Sequence, residues 1–263
     1  MELKKFKKFF RPLFIFFLSF GFNMKIFISA FCNCPRYISE LYKFKKMGGV
    51  VDSNHKSLID YNQQAGISKG HYFHQDLLVA KYIYQSKPDR HIDIGSRIDG
   101  FVAHVATFRS IEIIDIRALK KSEHKNIKFI KKDLMNVKSM GERITDSISC
   151  LHSIEHFGLG RYGDKLDPNG HIKGFYNIIK MLKKNGKLYI SFPIGKKNAV
   201  HFNYERVFNY KDIFNWYDNK NDLVLERFDV VNDNGELLED VDINNFKLCL
   251  NYGCGIYTFK KTV

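Results

Sequence analysis

The stretch that decides the fold is His91-Ile-Asp-Ile-Gly95-Ser96-Arg97-Ile-Asp-Gly100. It opens as a short apolar run and stops at a glycine, the mark of a buried strand that ends in a tight turn. Upstream, residues 75–84 (QDLLVAKYIY) have helical spacing, and Pro88 ends that helix just before the run. Downstream, the pattern predicts a helix over 101–108 and strands over 111–114, 127–130 and 147–151. A helix over 171–182 follows, stopped by Lys183-Lys184-Asn185-Gly186, and then a strand over 187–192. Residues 223–231 and 255–259 are expected to complete the sheet as a closing hairpin. Strands alternating with helices at this spacing imply an α/β fold with a doubly wound, mostly parallel, Rossmann-like sheet.

In such sheets ligands bind outside the carboxyl ends of the strands. The first three strands each end in an acid: Asp93 before Gly95 and Ser96, Asp115, and Asp133 before Leu134. Asp93 and Asp115 are 22 residues apart, which suits an acid that hydrogen-bonds a ribose. Gly95 lets the backbone approach a ligand closely. A dinucleotide needs G-x-G-x-x-G to admit its pyrophosphate, and Arg97 occupies the place of the second glycine. NAD is therefore disfavoured, and a nucleoside such as S-adenosylmethionine fits better, its ribose on Asp115 and its adenine beside Asp133 or Leu134.

After the fourth strand comes a long loop, residues 151–170, with four glycines, two histidines and several charged groups. Loops of this length inside compact domains are usually functional. His152-Ser-Ile-Glu155-His156 matches the inverted zinc-protease pattern H-x-x-E-H. That pattern belongs inside a long helix, whereas this copy follows a strand and runs into Gly158 and Gly160. A packed His152 is the plainer reading, and no metal site is expected.

Charge is unevenly spread. The 263 residues carry 42 Lys and Arg against 28 Asp and Glu, a net +14, yet residues 1–50 hold ten basic residues against Glu2 and Glu40, and so carry +8 of it. That distribution argues against a uniformly basic, nucleic-acid-binding body. Residues 1–50 also hold eleven of the 24 Phe. The apolar run of residues 13–22 is too short to span a bilayer, and Phe31 before Cys32 spoils a lipoprotein reading. The segment is read as a basic, aromatic arm, with the main domain over 51–263. Residues 1–31 would either lie on an anionic membrane surface or pack against protein. Cys32, Cys34, Cys150, Cys249 and Cys254 form no C-x-x-C pair, which favours a reduced, cytoplasmic setting, with peripheral attachment at the inner membrane the alternative.

Several strings resemble an uncharacterised bacterial family over roughly residues 60–215: Tyr72-Phe73 with Gln75-Asp76, Asp93-Ile-Gly-Ser-Arg-Ile98, Glu155-His156 with Gly158-Leu-Gly-Arg-Tyr-Gly-Asp164, Pro193 with Gly195, and Phe202-Asn203 with Arg206-Val-Phe208. The resemblance implies a class I S-adenosylmethionine methyltransferase-like fold and a setting in surface-polysaccharide synthesis. The expected reaction is O-methylation of a sugar or nucleotide-sugar. His156 is the expected base, since a neutral imidazole accepts a proton at pH 7, with Glu155 or Asp164 orienting it. Arg161 and Arg206 would hold an acceptor anion, alongside Tyr162 and Asn203. The other reading is a catalytically silent member that binds a glycan-assembly partner, a reading Arg97 favours. An RNA methyltransferase has only net charge behind it.

Overall fold

The computed structural model describes residues 16–53, 56–61, 64–136, 141–218, 222–246 and 250–263. The lysines of residues 4–8, Arg11 and Cys249 lie outside the described residues. Contacts divide the chain into two units, Met1–Ile67 and Ser68–Val263.

Within the first unit, Asn23 caps a helix, α1 (Met24–Lys46), its side chain accepting from the amides of Lys25 and Ile26. Lys43, Lys45 and Lys46 sit in the last turn, where cations meet the negative end of the helix dipole. None of its residues is buried; Phe20 and Phe31 are each 74% exposed. No helix among the described residues is long and apolar enough to cross a membrane.

The second unit is an eight-stranded sheet with a helix packed on each face. Its strands are β1 (His91–Ile94), β2 (Ile111–Asp115), β3 (Ile127–Lys131), β4 (Thr145–Leu151), β5 (Leu182–Ile194), β8 (Leu223–Val231), β9 (Leu237–Leu238) and β10 (Gly253–Lys261), with a separate ribbon of β6 (Ala199–His201) and β7 (Glu205–Val207). The order across the sheet is β3-β2-β1-β4-β5-β10-β8-β9. Strands β1 to β5 run parallel, and β10 inserts antiparallel between β5 and β8. The order reverses between β1 and β4, which opens a crevice at their carboxyl ends.

Both faces of the central strands are buried, which explains their unbroken apolar runs. On one face Leu78, Val79 and Ile83 of α2 (His71–Ser86) meet Ile111 and Ile113. On the other, Phe175, Ile178 and Ile179 of α4 (Gly170–Met181) meet Ile92, Ile94 and Ile148.

The predicted helix over 101–108 is shorter and preceded by a wide turn. Ile98–Val102 forms one π-type turn, Val102 N–H donating to Arg97 O at 3.2 Å, before α3 (Ala103–Ala106). Gly100 allows this, because a Cβ there would stand 2.6 Å from Asp76 Oδ2. The predicted strand over 187–192 begins earlier, at Leu182, with Asn185 in the left-handed region at φ +63°.

Candidate active site

The turn after β1 is held by Asp93. Its buried carboxylate accepts from the Ser96 amide (3.0 Å), the Ser96 hydroxyl (2.6 Å) and the Ser149 hydroxyl (2.6 Å). Burial pushes this carboxyl up to about 6 against those hydrogen bonds. Asp93 thus shapes the loop and lines neither pocket described below, a correction to its expected contact with a cofactor. Gly95 has φ +65°, and a Cβ there would lie 2.5 Å from Ser153 Oγ. Only glycine gives this turn both its conformation and its clearance.

A cleft of about 550 Å³, open solvent at its mouth included, lies over the ends of β1, β2 and β4. Its apolar lining includes Ile94, Ile114, Leu134 and Met135, with Gly95 and Asp115 on the rim. Leu134 is buried and its carbonyl accepts from Asn177. Asp133 also lines the cleft, accepting from the Met135 amide at 2.8 Å. The Asp115 carboxylate is engaged by Arg117 through the backbone amide (2.7 Å) and the guanidinium (Nε to Oδ1, 2.9 Å). Arg117 in turn lies 4.4 Å from the centre of the Tyr162 ring.

A larger, more open pocket adjoins the cleft, sharing Gly95, Arg117, His152, His156 and Tyr162 with it and adding Ser96. Arg97 and Arg161 stand at its rim among aromatic rings: Arg97 lies 5.3 Å from the Tyr72 ring and Arg161 5.0 Å from Tyr204. Arg97 pairs with Asp99 and is largely exposed, so it does not fill the cleft.

His156 sits where cleft and pocket meet. Its Nδ1 is 2.6 Å from Tyr204 O, so Nδ1 carries the proton and Nε2 keeps its lone pair. Burial lowers its pKa, which leaves the ring neutral near pH 7.

Three expected partners are committed to other groups, Asp164 among them although it lines the cleft. The Glu155 carboxylate binds His152 Nδ1 at 2.8 Å and stands 3.8 Å from His156 Nε2, so it orients the first histidine. Asp164 accepts the amides of Gly158, Gly160 and Tyr162, which folds the glycine loop back on itself. Arg206 is buried and donates to the carbonyls of Glu155, Phe157, Asp167 and Pro168, which leaves it no free face for a substrate anion. Asn203 stands exposed in the β6–β7 turn at φ +57° and lines neither pocket.

The H-x-x-E-H string makes a single 3₁₀ turn, Ile154–His156. His152 itself, at φ +48°, is buried against His71 and Tyr72, ring centres 5.2 and 5.0 Å away. Burial alone would lower its pKa; Cys254 and Glu155 outweigh that and hold the imidazole well above its usual range. His71, by contrast, is pushed down to about 4 by burial. His71, Tyr252 and Cys254 were not expected at the site. The quoted Tyr72-Phe73 string begins one residue after the first of them, and nothing in the sequence pointed at the others.

The profile of a family described as Caenorhabditis protein of unknown function, DUF268, matches residues 101–213. No curated protein sequence matches this one. Among solved structures, a candidate sarcosine dimethylglycine methyltransferase from Galdieria sulphuraria aligns with a TM-score of 0.53 at 12% identity, over 85% of this chain and 98% of its own. The cyclase SpnF aligns with a TM-score of 0.51 at 12% identity, over 89% and 97%. The fold is that of the class I methyltransferases.

Proposed function

We propose that the protein is an S-adenosylmethionine-dependent methyltransferase that methylates a hydroxyl of an anionic sugar or nucleotide-sugar. The observation that carries this reading is the cleft itself. An apolar slot between Ile114 and Leu134, an acid at the end of β2 and a glycine whose Cβ would strike Ser153 converge on one cleft. Adenine suits the slot, and the ribose hydroxyls suit Asp115, which would share its oxygens with Arg117. The fold alone does not decide the chemistry, because SpnF, a cyclase, has it too.

The bound cofactor would supply an electrophilic methyl group. His156 Nε2 faces the junction of the two pockets and would take the acceptor's proton as the oxygen–methyl bond forms. Tyr204 O fixes the tautomer that leaves this nitrogen unprotonated, with Arg161 Nη1 3.5 Å away. Arg97 and Arg161 would hold an acceptor phosphate or carboxylate, and Tyr72 and Tyr204 would stack on a sugar ring. A surface-glycan setting follows from the family resemblance, and the exposed aromatic and basic residues of the first unit support attachment to anionic lipid. The ion pair that occupies Asp115 favours the second reading, a silent protein that binds a partner.

The test is methyl transfer to a panel of nucleotide-sugars and glycolipid intermediates, read by mass spectrometry. Transfer that falls by roughly 10² to 10⁴ in His156→Gln, with cofactor affinity kept, supports the assignment. Unchanged turnover in that variant removes His156 as base, and no transfer to any anionic sugar removes the acceptor class.

A further inference from the structure

We propose that His71, His152 and Cys254 form a zinc site whose fourth position opens into the larger pocket. Nδ1 or Nε2 of each histidine and Sγ of the cysteine lie within 4.8 Å of one another. A tetrahedral zinc with bonds of about 2.0 to 2.1 Å to nitrogen and about 2.3 Å to sulfur sets its ligands roughly 3.3 to 3.6 Å apart. Closing the cluster by about 1 Å therefore completes the site, with the partly buried His71 ring moving within its stack between His152 and Tyr252.

His152 carries the argument furthest. Its Nε2 is buried with no hydrogen-bond partner among the described residues, while Nδ1 is 2.8 Å from Glu155 Oε1. Buried polar atoms rarely go unpaired. A carboxylate on Nδ1 holds a proton there, so a metal ion need displace only the proton that Nε2 carries in the charged imidazole, the arrangement that orients metal-bound histidines. The residue takes φ +48°, a conformation costly to a side chain with a Cβ, and so aims the ring at Cys254 rather than out of the loop.

The three ligands come from different elements: the first residue of α2, the residue after β4 and the second residue of β10. Two imidazoles and a thiolate select zinc over magnesium or calcium, which prefer oxygen. His71 and His152 line the larger pocket, whereas Cys254 is fully buried beneath them, so the open position faces solvent and substrate. This site differs from the H-x-x-E-H pairing, because His156 Nδ1 is committed to Tyr204 O. It also stands independently of methyl transfer.

The test uses the full chain stripped of metal with a chelator and titrated with zinc against a chromophoric competitor. The expected result is one zinc per chain, bound at least about 100-fold more weakly in His71→Asn and in Cys254→Ser, and about 10- to 100-fold more weakly in Glu155→Gln. His156→Gln should bind as wild type. Cobalt substitution should give a thiolate-to-cobalt charge-transfer band that Cys254→Ser abolishes and His156→Gln keeps. His71→Asn alters a partly exposed residue, so it reports on the site even where the buried cysteine variant fails to fold. Failure of the wild type to bind zinc at micromolar free metal overturns the proposal. Equal affinity in His71→Asn, or loss of binding in His156→Gln, overturns it as well.

Discussion

Replacing Gly95 with alanine tests the geometry of the cleft. At φ +65° a residue with a Cβ costs about 1 to 2 kcal/mol. The new methyl would also stand 2.5 Å from Ser153 Oγ, and Ser153 is itself buried, so overpacking adds about 1 to 3 kcal/mol. Alanine restricts the unfolded chain, which returns about 0.4 to 1 kcal/mol. The net loss is about 1 to 5 kcal/mol, and at roughly 2 to 4 °C per kcal/mol the melting temperature should fall by about 2 to 20 °C. Calorimetric melting measures this directly. Adding Ser153→Ala should recover the clash and not the backbone cost, so the double variant should melt between wild type and Gly95→Ala. The same methyl would intrude on both pockets, and nucleoside affinity should fall with stability. A Gly95→Ala protein that melts like wild type and binds nucleoside like wild type would refute this account of the turn.

Asp115→Ala should weaken S-adenosylhomocysteine binding by about 1 to 3 kcal/mol, read by titration calorimetry, because the ribose loses a charged acceptor. Asp93 sets a pH signature: its carboxyl lies at about 6 when folded against 3.8, so the folded state holds the proton longer. It therefore costs stability progressively as pH rises from about 4 to 6, by on the order of 3 kcal/mol. Denaturant titrations of Asp93→Asn should show that slope missing relative to wild type, whereas an identical pH slope would contradict the burial argument. Arg206→Met should lose about 3 kcal/mol or more of stability, since it strands carbonyls that now share one guanidinium, and Arg206→Lys should recover little of it. Residues 1–67 should sediment with anionic vesicles and release them in high salt; binding indifferent to salt would contradict the electrostatic half of that attachment.

The strands were legible because burial on both faces leaves a continuous apolar run, as in Ile111–Asp115. The cleft was legible because strand ends in this topology point to it: Gly95, Asp115, Asp133 and Leu134 all line it. What the sequence hid depends on the path of the loop after β4. Glu155 sits beside both histidines in sequence, and only the 3₁₀ turn and the strained His152 decide which one it holds. Arg206 has the look of an anion-binding residue, yet the loop wraps its guanidinium in backbone carbonyls. Cys254 belongs to no C-x-x-C pattern, and its neighbours, His71 and His152, lie far away in the chain and meet it only once β10 has inserted beside β5.

Titration of the purified chain with S-adenosylhomocysteine tests the central claim most directly. One site per chain with a micromolar or tighter dissociation constant is the expected result, and absence of binding at millimolar ligand would contradict it.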